Sequence, residues 1–228
     1  MQIFFIFFVV VLIIIGFSVV SQLQAQKRRD ELQQCAASHG LSFSAEKDPA
    51  MDDRYPLFPC LHEGDHRYAF NIMQGTGANR QVLAFDYHYE THSTDSKGNR
   101  TTYSHVFSAV IIDSGLPLQS LSIRSETFMD KVSAFMGFED INFESAEFNR
   151  QFYVTSPDRR WAFDVLNQQS MEFLLASPRF CLEMGNGSVI AFRKEKLSPG
   201  DIEAALGVIE GLLDRIPPSV LNELKGAN

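Results

Sequence analysis

Residues 3–20 read IFFIFFVVVLIIIGFSVV, with no charged side chain, and sixteen of the eighteen are Ile, Phe, Val or Leu. As a helix this run spans about 27 Å, close to the thickness of a bilayer's hydrocarbon core. Moving its side chains from water into lipid is favourable by about 5–10 kcal/mol. A helix packed on a water-soluble core keeps a polar face, and this one has none. The expectation is a transmembrane anchor over residues 1–25, with the lipid bilayer as partner through residues 3–20. A cleaved signal peptide is the alternative, which would make the chain an exported envelope protein. It calls for a basic start and small residues before the cut. Only Met1 and Gln2 precede the run, while Val19 and Ser21 suit the −3 and −1 positions.

Lys27, Arg28 and Arg29 follow the run, and nothing basic precedes it. Basic flanks stay in the cytoplasm, so the sequence reads as a single-pass cell-membrane protein with its N-terminus outside and its domain in the cytosol. Residues 26–40 then form a juxtamembrane helical stalk, stopped at His39-Gly40. Residues 41–228 form a soluble domain. With 45% hydrophobic and 21% charged residues, that domain is a folded one. Of 20 Phe, five (Phe4, Phe5, Phe7, Phe8, Phe17) lie in the apolar run, which leaves fifteen for a core. A net charge of −8 repels phosphate backbones and argues against nucleic acid as a partner. Cys35, Cys60 and Cys181 are too few and scattered for a disulfide framework and read as reduced, buried thiols.

The fold class expected for the domain is α+β: an antiparallel sheet with two or three helices packed on one face. Strands are expected at 41–45, 66–73, 81–92, 101–112 and 118–124, joined by the glycine turn QGTGAN and the polar loop STDSKGNR. The three prolines within 46–60 mark an irregular loop. Helices are expected at 125–136 and 156–176, the second opened by Ser156-Pro157. A strand at 151–155 lies between them. Gly185-Asn186-Gly187 marks a hairpin between strands 180–184 and 188–192. Ser198-Pro199-Gly200-Asp201 opens the last major helix with a capping-box pattern, and a short helical tail follows at 220–225. Ile202, Ala205, Leu206, Ile209, Leu212, Leu213 and Ile216 line one face of that helix, a stripe worth about 10 kcal/mol gross on burial.

Four constellations have the residue types for chemistry. His62-Glu63-Gly64-Asp65-His66 matches H-E-x-x-H, which binds zinc only when a helix puts both histidines on one face. Gly64 and Asp65 disfavour a helix there, so a polar turn entering a strand is the expectation. Asp86, His88, Glu90 and His92 alternate along a strand and share one face, a candidate set for a divalent metal. His62 or His66 would join it if the register of the neighbouring strand allowed. The bland reading is the solvated side of a half-buried strand. Glu139, Asp140, Glu144 and Glu147 offer paired carboxylates but read as a charged, partly capping loop. Gly75-Thr76-Gly77 lies between two strands, where no helix N-terminus completes a phosphate cradle.

The segment 143–175 resembles a family of uncharacterised bacterial single-pass membrane-anchored proteins. The resemblance rests on an F-E-x-x-x-F-x-x-x-F-x-V run (Phe143, Glu144, Phe148, Phe152, Val154). It continues with D-x-x-x-A (Asp158, Ala162) and a helix ending near E-x-L-L (Glu172, Leu174, Leu175). The resemblance implies the anchor and the fold and carries no catalytic residue. The function expected is a membrane-tethered, non-enzymatic interaction or scaffolding module with a protein partner and no cofactor. The alternative is a metal-dependent enzyme using the 86–92 face.

Overall fold

The computed structural model describes residues 2–77, 80–125 and 139–226, with the side chains of residues 2–14, 17 and 224–226 outside that description. The helix expected at 125–136 lies almost wholly outside the described residues. Helix α1 is one continuous element, Gln2–Ser38. Among the described residues no helix is long and apolar enough to cross a membrane. Most of the side chains on which the span over 3–20 was expected are outside the described set.

Eight strands form one antiparallel sheet: β1 Ser42–Ser44, β2 Asp65–Gly77, β3 Arg80–Thr94, β4 Arg100–Asp113, β5 Leu121–Ser125, β6 Phe152–Thr155, β7 Cys181–Gly185 and β8 Ser188–Arg193. The spatial order is β1-β2-β3-β4-β8-β7-β5-β6. β1 to β4 make a meander, but the strand expected at 118–124, β5, does not continue it: β8 and β7, which make the expected hairpin, lie between β4 and β5. Asn186 and Gly187 supply the two positive φ angles, 48° and 83°, that such a two-residue turn needs.

Both faces of this sheet are covered. One carries the main core, where Leu32, Cys35 and Ala36 of α1 meet Ala84, Val110, Ile112 and Ala191, and where the later helices pack. These are α3 Ala146–Gln151, α4 Arg159–Val165, α5 Gln168–Ala176 and α6 Pro199–Leu213; a tail helix α7, Pro218–Gly226, follows. On the other face Phe85, Tyr87, Tyr89, Phe107 and Ile190 are covered by Met51, Phe58, Cys60 and Leu61. Those four belong to the proline-bearing segment, which contains a one-turn helix α2 (Met51–Arg54) and a 3-10 turn (Pro59–Leu61). The Tyr87 hydroxyl donates to the Leu61 carbonyl at 2.6 Å, and Arg67 donates to buried Asp52 at 2.7 Å. The picture of helices on a single face is therefore incomplete. Non-repetitive chain does the work of a helix on the second.

Further expectations change. The helix expected over 156–176 is two helices, because Asn167 caps a fresh start: its side chain accepts from Ser170 N and donates to the Arg215 carbonyl. Asp158, not Ser156, caps the first of them. Residues 146–151, read as loop leading into a strand expected to start at 151, form α3, capped by Ser145. The capping box of α6 is present as expected, with Ser198 and Asp201 bonded reciprocally. Val208 joins the buried stripe of α6, while Leu206 lies at its half-exposed margin.

The segment that carries the family resemblance is structural. Phe148 stacks on Phe152 at 4.6 Å and meets Phe143 edge-on at 5.5 Å. All three are buried, and Asp158 is a cap. In the acidic stretch, Asp140 accepts from Val154 N at 3.0 Å and Glu147 from Gln151 at 3.4 Å.

Candidate functional site

Asp86 is a lock between α1 and the sheet. Alternation along β3 puts it on the α1 side, and the helix covers that position. Its carboxylate accepts from Arg28 Nη2 at 2.7 Å and Nε at 3.2 Å, from Ser108 Oγ at 2.6 Å and from Asn71 Nδ2 at 2.9 Å. Ser108 stands directly opposite Asp86 in the β3–β4 register. A register shift in β2 between Phe70 and Met73, with Asn71 at φ 50°, aims the Asn71 amide inward. Arg28 also donates to the Leu197 carbonyl at 2.5 Å. Asp86 is 1% exposed. A carboxylate so enclosed is held by charge-assisted bonds in the bidentate geometry arginine favours. Arg28, read from sequence as one of three topogenic cations, is thus also an internal structural group.

The other three residues of that strand face have separate partners. His88 stacks on Tyr68 at 4.6 Å and has Nδ1 at 3.2 Å from the His66 carbonyl. Glu90 receives His66 Nδ1 at 2.9 Å. His92 meets Thr102 at 3.0 Å and lies 3.6 Å from Asp65. The register does bring His66 alongside, since Asp65 pairs with Glu90 and Tyr68 with His88. The hydrogen bond from His66, then the charges of His66, His88 and His92, hold the Glu90 carboxyl below its usual range. Asp86 is taken up by Arg28. Among the described residues, the three ligand-type side chains whose atoms converge are others: Cys35, His39 and Glu203.

The H-E-x-x-H run is no helix. The 3-10 turn ends at Leu61, Gly64 has φ 61° and His66 φ 50°, and β2 starts at Asp65. Gly64 is required there, because a Cβ would run into the Glu90 carbonyl. Glu63 pairs with Lys194 at 3.3 Å. No two-histidine zinc face forms in this conformation.

A second polar interior lies on the opposite face. Glu183 is 1% exposed in β7, 3.4 Å from Arg124, and among the described residues its Oε2 has no hydrogen-bond partner. Burial pushes its carboxyl up to about 7, against the pull of Arg124. Cys60, Glu63, Arg124, Cys181, Glu183, Phe192 and Lys194 enclose a void of about 20 Å³, room for one water molecule. Burial pushes the Cys60 thiol well up and Cys181 up to about 11. Neutral thiols are poor nucleophiles, so this chamber is suited to hold a proton or a water and not to attack a substrate. Sequence reading missed Glu183, since an acidic residue in C-L-E-M-G carries no local sign of burial.

The open cleft of about 380 Å³ beside Arg54, Tyr55, Leu57, Asp113 and the Asn186 turn is at the Gln81–Asp113 end of the sheet. There Asp113 accepts from Ser188 at 2.5 Å and from Tyr55 at 3.3 Å. Helix α1 finishes at that end: Leu41, just beyond it, packs on Gly75, which pairs with Val82, while Arg28 lies back at Asp86. The part of α1 before Arg28 therefore leaves towards the Thr94 end, away from the cleft. Ile15, Val19, Val20 and Leu23 on that part are 50–65% exposed.

Against solved structures the chain is similar to the crystal structure of the mycobacterial trehalose monomycolate transport factor A, TtfA. Identity is 12% and the TM-score 0.58, over 83% of this chain and 96% of that one. At that identity the likeness is one of fold. No family model matches the chain, and no curated protein does, so the resemblance over 143–175 identifies no family.

Proposed function

We propose that the chain is a membrane-tethered, non-enzymatic interaction module whose domain is carried on the cytosolic side by a rigid helical arm. The observation that carries this reading is the continuity of α1. Its C-terminal half is part of the core through Leu32, Cys35 and Ala36, and is locked by Arg28 to Asp86. Its preceding turns expose Ile15, Val19, Val20 and Leu23 to solvent. Contiguous apolar surface on an unpaired helix calls for a cover, and an uncharged run over 3–20 suits lipid. From Val20 to Arg28 is eight residues, about 12 Å of helix. An arm that short and continuous holds the domain close to the bilayer at a set orientation, as a module that meets membrane partners would need. The solved neighbour is titled a transport factor, which makes an accessory role beside a membrane transport protein the first partner class to test.

Fractionation tests the reading. The full chain should stay with membranes through an alkaline wash, and protease added outside intact cells should leave its domain uncut. A variant lacking residues 3–20 should be soluble with the same thermal unfolding of its domain. Recovery of the unprocessed full chain in the soluble fraction would contradict the proposal.

A further inference from the structure

Helix α1 ends against the first turns of α6, and three side chains of different chemistry meet there. The Cys35 thiol, the His39 imidazole and the Glu203 carboxylate each offer a ligand atom, and these atoms all lie within 4.8 Å of one another. His39 Nε2 is already 3.7 Å from Glu203 Oε1. A tetrahedral zinc shell with bonds of about 2.0–2.3 Å puts its ligand atoms about 3.3–3.8 Å apart, so a small side-chain adjustment closes the set. The imidazole is preset for this role. His39 Nδ1 is 2.9 Å from the Cys35 carbonyl, an acceptor, and 3.1 Å from Ser38 Oγ; in the tautomer that donates from Nδ1 to that carbonyl, Nε2 presents its lone pair to the cluster. A ring nitrogen fixed by a backbone carbonyl is the usual outer support of a metal-binding histidine. Cys35 is buried at 8% exposure, whereas His39 and Glu203 line an open cleft of about 360 Å³ with Leu41, Leu206 and Glu210. An ion thus has a way in, and a water has room for the fourth position.

We infer that Cys35, His39 and Glu203 form a zinc-binding site that clamps the end of α1 to the start of α6. Burial, then the Glu203 charge, pushes the Cys35 thiol up and favours its protonated form before a metal binds. Binding replaces that proton with the metal: the S–H bond breaks, a zinc–thiolate bond forms, and the proton leaves to solvent. The site is separate from the Asp86–His92 strand face, and it ties the helical arm to the domain at a second point beyond Arg28. It does not depend on the tethering proposal, since its three ligands lie after the apolar run.

The test uses the full chain in detergent, stripped with chelator and titrated with Co²⁺ as a visible substitute for zinc. One Co²⁺ per chain should bind with a near-ultraviolet thiolate-to-cobalt absorption, and Zn²⁺ should displace it. Cys35→Ser should abolish the absorption. Glu203→Gln and His39→Gln alter exposed side chains that leave the core intact, and each should weaken Co²⁺ binding at least about tenfold. Zn²⁺ should raise the melting temperature of the parent chain and fail to raise that of the His39→Gln/Glu203→Gln pair. His88→Ala/His92→Ala should bind as the parent does. Absence of the absorption, or its survival at full affinity in the His39 and Glu203 variants, would overturn the inference.

Discussion

Arg28→Ala should lower the unfolding free energy by about 3–5 kcal/mol, the largest effect expected of any single side chain here. The reason is what it leaves behind. Asp86 is 1% exposed, with only Ser108 and Asn71 to offset the loss of a 2.7 Å bidentate partner. Desolvating an ion costs several kcal/mol, and removing one partner exposes that cost in full. With a urea slope of about 2 kcal/mol/M, the midpoint of the detergent-solubilised chain should fall by about 1.5–2.5 M. Asp86→Ala should cost a similar amount, and the double variant less than the sum, because neither charge is then left alone. A loss under about 1 kcal/mol for Arg28→Ala would mean that the helix is not held to the sheet by this pair.

The second large effect is one of pH. Glu183 titrates at about 7 in the folded chain against an ordinary value of 4.5. As pH rises from 4.5, the unfolded chain gives up this proton first, and the folded chain holds more protons until about 7. Stability therefore falls with rising pH over that window. The difference in the two values corresponds to a loss of about 3 kcal/mol from this one group. Below 4.5 both states are protonated and the effect vanishes. Glu183→Gln should remove the slope, so the difference between parent and variant stability should change by about 3 kcal/mol between pH 4.5 and 7. Parallel profiles for the two proteins, measured by urea unfolding at each pH, would show that Glu183 is not held protonated by burial.

The parts of this fold legible in the sequence are those set by local chemistry. Gly185-Asn186-Gly187 is a hairpin because two positive φ angles are cheap at Asn and Gly. Ser198 and Asp201 cap α6 because their spacing lets each satisfy the other's backbone N–H. The break in the helix expected over 156–176 was hidden because Asn167 sits among good helix formers, and its role as a cap is fixed by Arg215, far along the chain. The strand face of Asp86, His88, Glu90 and His92 was read correctly as one face. What sequence lacked was the cover: α1 reaches Asp86 from 58 residues upstream, whereas His88, Glu90 and His92 take partners from the neighbouring strands. The convergence of Cys35 and His39 with Glu203 was invisible for the same reason. Cys35 and His39 share one helical turn, but Glu203 comes from the far end of the domain, and nothing local marks the three as neighbours.

In the proposed arrangement, one unbroken helix passes from lipid into the core of the domain. A spin-label scan over Ile15, Val19, Val20, Leu23, Gln26 and Lys27 in the full chain, reconstituted in vesicles, tests it most directly. Lipid-depth oxygen contact is expected at Ile15, Val19 and Val20, aqueous contact at Gln26 and Lys27, and helix-like restricted mobility at every position. Rapid, linker-like motion between Leu23 and Lys27, or aqueous contact at Ile15 and Val19, would contradict it.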